Sequence, residues 1–336
     1  MDRILPHLEE RYWSAARDRL SSMNHKTVMV IFVILCHNID QSSLVGSECV
    51  ILAGKYFTSY RGVELWSPGG KCNRRMKDLP GSHHPIGLAT MFFDQEVLVC
   101  GGKKKNKDDA NICLKLNPET EEWEKHSTLL NSKSSEVLFF AHVVVGKKLF
   151  ILGGDKGSIP SQYLEACSTI WQKGPELPKG VPNQYGCAVA DSDDSFILIS
   201  QGSNIPVYRY NVSSDAWATL PNIPTSIYVI RPACGHVKSN ILVAFRDNSY
   251  NSYSMAFDVN TQTWSETGNY SVMSASTPIL DVSGRFFKIG YNNPIVEEYL
   301  PYSRTWKITN QALLNANNNN YGIGTVVPKS KFKNCL

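Results

Sequence analysis

Five tryptophans recur along the chain at nearly constant spacing. Neighbouring members of the series are 48, 46, 47 and 42 residues apart. Met76 lies 47 residues before the first of them and is expected to hold the same place in an earlier unit. A period of this length indicates that one supersecondary unit is repeated, so the sequence predicts six units. The tryptophans are Trp123, Trp171, Trp217, Trp264 and Trp306.

Apolar runs keep step with this series, and most of them end in glycine. Glycine suits the end of a strand that bends tightly, where a side chain would clash or where φ must be positive. Polar turns such as NPETEE, NVSSDA and DVNTQT precede three of the tryptophans, as expected of hairpins. Each unit is therefore predicted to contain four short strands, which we label a to d. Strand b ends at the glycines, and strand d carries the tryptophan. The runs end at Gly54, Gly102, Gly154, Gly202, Phe245 and Gly290.

Units of this size and strand content are typical of β-propeller blades. Blades 2 and 3 (VLVCGG…LNPETEEW and FILGG…STIW) resemble the kelch family, whose repeat has a double glycine after strand b and a tryptophan in strand d. Blades 4 to 6 keep an aromatic residue seven places before the tryptophan and lose one or both glycines. The resemblance covers residues 48–336. It implies an all-β, six-bladed propeller that acts as a non-catalytic protein-binding module.

Closure of the ring is also predicted. The first unit opens with strand b and has no strand a, whereas residues 321–328 (YGIGTVVP) form an apolar run with no partners after the last tryptophan. We expect this C-terminal run to become the inner strand of blade 1, which leaves no open sheet edge. The ring would then be a monomer.

The N-terminal region differs from the repeats. Residues 28–36 are apolar, follow Lys26 and are too short to span a bilayer, so they favour a secretory signal over the alternative of a buried strand. We expect residues 1–22 to be an extension, with translation starting at Met1 or Met23. Residues 23–47 would be the signal peptide and 48–336 the secreted propeller. If this is wrong, the alternative is an intracellular kelch protein that binds cytoskeletal or ubiquitin-ligase-related partners. In the kelch family, proteins that select ubiquitin-ligase substrates do so through BTB and BACK domains, which we do not expect here, so that role is doubtful.

The cysteines also favour a secreted, extracellular protein. Nine are present, and loss of Cys36 with the signal leaves an even number, which is typical of disulfide-bonded extracellular proteins. Ring closure should bring Cys335 to Cys49. If the loop after Gly102 spans 103–110, hairpin register places Cys100 opposite Cys113. Cys187 and Cys234 on inner strands are candidates for a further bridge, and Cys72 and Cys167 are unassigned. Two glycosylation sequons begin at Asn211 and Asn269.

The motifs favour binding over catalysis. The net charge of +4 without a basic stripe gives no footprint for nucleic acid. GxSxG, HExxH and phosphate-binding loops are absent from the sequence. His142 and His236 lie on predicted inner strands and leave a copper-dependent oxidase as a minor alternative. We therefore expect no cofactor, no metal and no membrane span.

The binding face should be the one that carries the b–c and d–a loops, because strand direction places both kinds of loop at the same end of the ring. These loops contain tyrosine, arginine, lysine and histidine. Tyrosine and arginine are enriched among the residues that anchor protein interfaces. The partner is expected to be a protein, and its identity cannot be read from the sequence. The candidate residues are Tyr56, Tyr60, Arg61, His83, Lys104, Arg246 and Tyr250.

Overall fold

The structure is a computed structural model, and it describes most of the region that follows the N-terminal 47 residues. All described residues belong to one compact unit, Gly46–Leu336. The expectations for residues 1–22 and 23–47 therefore lie outside the described residues. The described ranges are 48–53, 62–70, 72–80, 89–103, 111–130, 136–137, 141–154, 160–181, 186–203, 205–226, 228–270, 279–289, 295–310 and 324–332.

Six antiparallel sheets of four strands each follow one another along the chain, as the repeat predicts. In strand order a to d, blade 1 is Gly324–Pro328, Glu48–Ala53, Val63–Trp66 and Arg74–Met76. Blade 2 is Ala89–Phe93, Glu96–Cys100, Ile112–Leu116 and Trp123–Thr128. Blade 3 is Ala141–Val145, Lys148–Leu152, Gln162–Glu165 and Gln172–Lys173.

The second half repeats the arrangement. Blade 4 is Cys187–Ser192, Ser195–Ile199, Val207–Asn211 and Ala216–Leu220. Blade 5 is Ile230–Val237, Asn240–Arg246, Ser252–Asp258 and Thr263–Glu266. Blade 6 is Leu280–Val282, Arg285–Ile289, Val296–Leu300 and Thr305–Ile308. The protein is an all-β, six-bladed β-propeller. A two-stranded pairing of Gly102–Lys103 with Glu136–Val137 and a 3-10 turn, Lys329–Lys331, complete the described elements.

The C-terminal strand closes the ring, as predicted. Gly324–Pro328 pairs antiparallel with Glu48–Ala53, with Val326 opposite Val50. The strand also contacts the inner strands of blades 6 and 2. Gly324 fits there because a Cβ atom would come within 2.6 Å of the Leu52 side chain. A second link across the seam is the backbone N–H of Ser283 in blade 6, which donates to the Glu48 carboxylate at 2.6 Å.

The tryptophans fill the wedges between blades. Each packs against the blade before its own and donates its indole N–H to that blade, at 2.9–3.2 Å. This contact fixes both the packing and the orientation of a side chain whose polar atom must find a partner. The pairs are Trp123 to Lys77 O, Trp171 to Ser127 Oγ, Trp217 to Glu176 O, Trp264 to Pro221 O and Trp306 to Ser254 Oγ.

Blade 1 departs from this pattern, and the placement predicted for Met76 is wrong. Met76 lies opposite Val63 and packs into the wedge towards blade 2, the following blade. The wedge towards blade 6 is filled from strand c, by the fully buried Trp66. Its ring meets that of Phe287 edge-on at 5.3 Å. Strand pairing shows that Trp66 occupies the strand-c position that Leu116 has in blade 2. Trp66 lies opposite Val50 of strand b, as Leu116 lies opposite Val97.

Candidate protein-binding face

The b–c and d–a loops meet at one end of the ring. In blade 4 the b–c loop pairs with the segment leading into blade 5, through Gly202 N to Val229 O at 3.0 Å and Val229 N to Gly202 O at 2.9 Å. In blade 2 the b–c segment Gly102–Lys103 pairs with Glu136–Val137 of the next d–a connection. We call this end of the propeller the b–c face.

The structure describes two of the seven candidate residues on this face. Tyr56, Tyr60, Arg61, His83 and Lys104 lie outside the described residues. Tyr250 is 66 % exposed, whereas only 5 % of Arg246 is accessible.

The burial of Arg246 follows from the length of its strand. In blade 5, strand b continues to Arg246, and strand alternation places this side chain on the same side as Leu242 and Ala244. Those two residues pack in the wedge between blades 5 and 6. Arg246 therefore points into that wedge at its b–c end.

A compact turn after Arg246 presents Tyr250. The Asp247 carboxylate accepts hydrogen bonds from the backbone N–H groups of Ser249 and Asn251 and from Asn251 Nδ2, each at 2.8 Å. The Tyr253 hydroxyl donates to the same carboxylate at 3.3 Å. The Asn251 side-chain bond is the largest cause of the lowered pKa of Asp247; desolvation opposes it, and the backbone bonds from Asn251 and Ser249 add to the lowering. The turn is thus organised from within, before any partner binds.

Tyr250 is one of eleven described non-glycine residues with a positive φ. Its φ of 66° lies in the left-handed region, where a bulky residue is an outlier. Such strain persists only where neighbouring contacts hold it, and it concentrates at functional sites. The turn's hydrogen bonds hold it here, and the Tyr250 ring lies 5.2 Å from the Arg246 guanidinium carbon. The exposed tyrosine therefore covers a buried cation.

Three further polar side chains lie close to Arg246 in the wedge. Lys288 and Glu297 face each other across neighbouring strands of blade 6, and both are buried. Burial lowers the pKa of Lys288 from 10.5 to about 7, with Glu297 acting in the opposite direction. The Tyr270 hydroxyl donates to Phe245 O at 3.0 Å, and its ring lies 5.3 Å from Lys288 Nζ. We call Arg246, Lys288, Glu297 and Tyr270 the 5–6 polar cluster.

Sequence reasoning did not find this cluster as a group. The signal that could have found it is the loss of both glycines at the end of strand b in blade 5, where Phe245-Arg246 stands in place of Gly-Gly. An arginine in a position that otherwise needs no side chain calls for a specific explanation.

The opposite end of the ring carries an exposed tyrosine of its own. Tyr302, in the c–d turn of blade 6, is 95 % exposed, and Lys238 Nζ lies 4.1 Å from its ring centroid. A cavity of about 110 Å³ beside it is lined by residues that include Lys238, Arg304 and Ser265.

Asn211 also lies at this end of the ring, at the end of strand c in blade 4, where its Nδ2 donates to Asp194 at 2.9 Å. A glycan on Asn211 would leave the b–c face uncovered. Asn269 lies in the connection from blade 5 to blade 6.

Two pairs of cysteines are joined by disulfides. Cys100 lies opposite Cys113 with a Cα–Cα distance of 4.2 Å, in the register predicted from the loop length. Cys187 and Cys234 link the inner strands of blades 4 and 5, with Cα atoms 5.9 Å apart. Cys49 is buried, but its expected partner Cys335 lies outside the described residues. Cys167 is exposed, and Cys72 is buried.

Within the described ranges, no group of three or more histidine, cysteine, aspartate or glutamate side chains is arranged to hold a metal ion. Burial lowers the pKa of His142 to about 4. The same ranges contain no helix with the length and apolar character needed to cross a bilayer.

Comparison with known proteins agrees with the geometry. No family model matches the chain. The chain is 23 % identical over 279 residues to "Kelch repeat and BTB domain-containing protein 2" of cowpox virus (strain Brighton Red), covering 73 % of this chain and 47 % of that protein. The namesake in ectromelia virus (strain Moscow) is 23 % identical over 193 residues, covering 50 % and 33 %.

Six four-stranded blades, five of which carry a tryptophan of the periodic series, agree with this similarity. The chain is a six-bladed β-propeller that is similar to kelch-repeat proteins. It spans about half the length of the cowpox relative and a third of the ectromelia one. A propeller similar to those of kelch proteins indicates a protein-binding module.

Proposed function

We propose that this kelch propeller is an extracellular, non-catalytic module that binds a partner protein on its b–c face. The observation that carries the proposal is the turn at residues 247–251. It holds Tyr250 exposed, in a strained conformation, by four hydrogen bonds to Asp247. Tyrosines with little conformational freedom are favoured anchors of interfaces because little entropy is lost when they bind.

The extracellular setting is proposed on the cysteines. The described residues contain two disulfides, Cys100–Cys113 within a blade and Cys187–Cys234 between blades, and disulfides persist in oxidising compartments. In this proposal residues 23–47 are removed as a signal peptide, and residues 48–336 form the mature propeller. Glycans on Asn211 and Asn269 belong to the same proposal.

Partner capture tests the binding function. The wild-type propeller, Tyr250→Ala and the control Tyr302→Ala are immobilised and exposed to the native extracellular fluid, and bound proteins are quantified by mass spectrometry. Wild type and Tyr302→Ala should retain the same protein, and Tyr250→Ala should retain about tenfold less, since truncated tyrosine anchors commonly cost that much affinity or more. Equal capture by all three, loss only with Tyr302→Ala, or no specific capture by wild type would each refute the proposed face.

The compartment has a separate test. Protein recovered from its natural source is weighed intact, with and without reductant. Secretion predicts a chain that starts after the signal, with a mass increase on reduction from the opened disulfides. A chain that retains residues 23–47 and gains no mass on reduction would instead support the intracellular alternative.

A further inference from the structure

Arg246 is a buried cation, and two of its three guanidinium nitrogens have unused donors among the described residues. Within the described part of the chain, neither its Nε nor its Nη2 has a hydrogen-bond partner. Buried guanidinium groups are expensive unless they are paired, because the charge loses its hydration. Arg246 also occupies the place where blades 2 and 3 have the second glycine of the pair. The fold therefore does not explain why this side chain is an arginine.

The charges around Arg246 leave an excess of positive charge. In the described part of this wedge, Arg246 and Lys288 stand with one carboxylate, that of Glu297. Asp247 is the next residue along the chain, but its carboxylate is taken up by the donors of its own turn. One additional anion would balance the two cations when Lys288 is protonated.

The unused donors also set the shape of that anion. Nε and Nη2 form one edge of the planar guanidinium, and two parallel N–H groups on one edge match the two oxygens of a carboxylate. A single negative charge would balance the excess, whereas a phosphate monoester carries nearly two. The Arg246 guanidinium carbon lies 5.2 Å from the exposed Tyr250 ring, at the b–c end of the wedge. A group arriving with a partner would meet the tyrosine first and the arginine beneath it.

We propose that the partner of this propeller inserts a carboxylate between blades 5 and 6, where the Nε–Nη2 edge of Arg246 binds it beneath Tyr250. This inference rests on the proposed binding function and names the chemical group that the face recognises. The carboxylate belongs either to an acidic side chain or to the C-terminus of the partner chain, since both present the same pair of oxygens.

The test follows the Arg246 Nε–H signal by ¹H–¹⁵N NMR in the full propeller. The signal is assigned by its absence from Arg246→Gln or, if that variant does not fold, from Arg246→Lys. Four probes are titrated at constant ionic strength. N-acetylglutamate α-amide carries only a side-chain carboxylate, N-acetylglycine only a terminal one, N-acetylglutamine amide none, and inorganic phosphate is the competing anion.

The expected result is a saturable shift of the Arg246 signal with at least one carboxylate probe and none with the neutral amide. Which carboxylate acts identifies the source. Arg246→Lys, followed through the backbone amide signal of Asp247 instead, should bind that probe about tenfold more weakly, since it keeps the charge and loses the paired donors. No shift with either carboxylate, an equal shift with the neutral amide, or a response to phosphate alone would overturn the inference. Because no partner protein is present, this failure is distinguishable from a failure of partner capture.

Discussion

The wedge between blades 3 and 4 and the wedge between blades 5 and 6 solve the same packing problem with different residues. In the first, Phe196 lies 5.2 Å from Phe150, 5.2 Å from Tyr210 and 5.7 Å from Trp217. One of its polar groups is paired within the wedge, since the Tyr210 hydroxyl donates to Asp215 at 2.6 Å. This wedge is an aromatic core.

The second wedge begins in the same way and ends differently. Phe286 and Leu242 are buried there, and the Tyr299 and Trp306 rings lie 5.2 Å apart. Towards the b–c face the apolar residues give way to Arg246, Lys288 and Glu297. Neighbouring blades pack against each other in both wedges, so the fold does not need the charged residues. Residues that lower stability without serving the fold are typical of functional sites.

The largest effect should come from the aromatic wedge. Phe196→Ala should lower the free energy of unfolding by about 3–5 kcal/mol, because it removes a fully buried ring and leaves a cavity among three others. Urea titration monitored by tryptophan fluorescence measures this, with the exposed Tyr302→Ala as a control expected to change little. A loss below about 1 kcal/mol would mean that the wedges do not hold the ring together.

The polar wedge should make the free energy of unfolding depend on pH, an effect that the aromatic wedge lacks. Lys288 has a pKa of about 7 in the folded protein against 10.5 in the unfolded chain, so between these values the unfolded state binds more protons. Stability should therefore rise with pH from about 7 upwards and fall as pH drops through 7. The contribution is at most about 1.4 kcal/mol per pH unit. Burial of Lys288 is the main cause, and Glu297, Arg246 and Tyr270 are the titratable groups facing it.

Urea titrations at pH 7, 8 and 9 measure this slope for the wild type and for Lys288→Met. The variant removes the titrating group while keeping an unbranched apolar side chain, so its slope should be smaller. His142, whose folded pKa is about 4, titrates below this window and does not interfere. Identical slopes for the two proteins would show that Lys288 keeps an ordinary pKa.

The contrast between the wedges also shows what the sequence could predict. The number of blades, the closing strand and the opposition of Cys100 to Cys113 depend on period and register, which are written in linear spacing. The role of Trp66 was missed because it lies in strand c, outside the series of strand-d tryptophans.

The polar cluster was missed for a different reason. Alternation along strand b would have placed Arg246 on the same side as Leu242 and Ala244, but the expected loop boundary hid that the strand continues so far. Its neighbours Lys288 and Glu297 come from the next blade, more than 40 residues away, and only the packing of blade on blade brings them together. Local patterns carry no information about such contacts.

The smallest and most discriminating effect concerns Arg246. Arg246→Met removes a buried cation with unused donors, and replacing such a group by an apolar one is often neutral or stabilising. We expect the free energy of unfolding to stay within about 1 kcal/mol of wild type or to rise, while capture of the partner is lost. The matched control is Arg285→Met in blade 6, whose guanidinium forms two 2.8 Å bonds with Glu298 and is partly exposed. That variant should lose up to about 1 kcal/mol and keep partner capture. If Arg246→Met is instead the less stable of the two, Arg246 has a structural role like that of Arg285, and the two wedges differ in composition without differing in function.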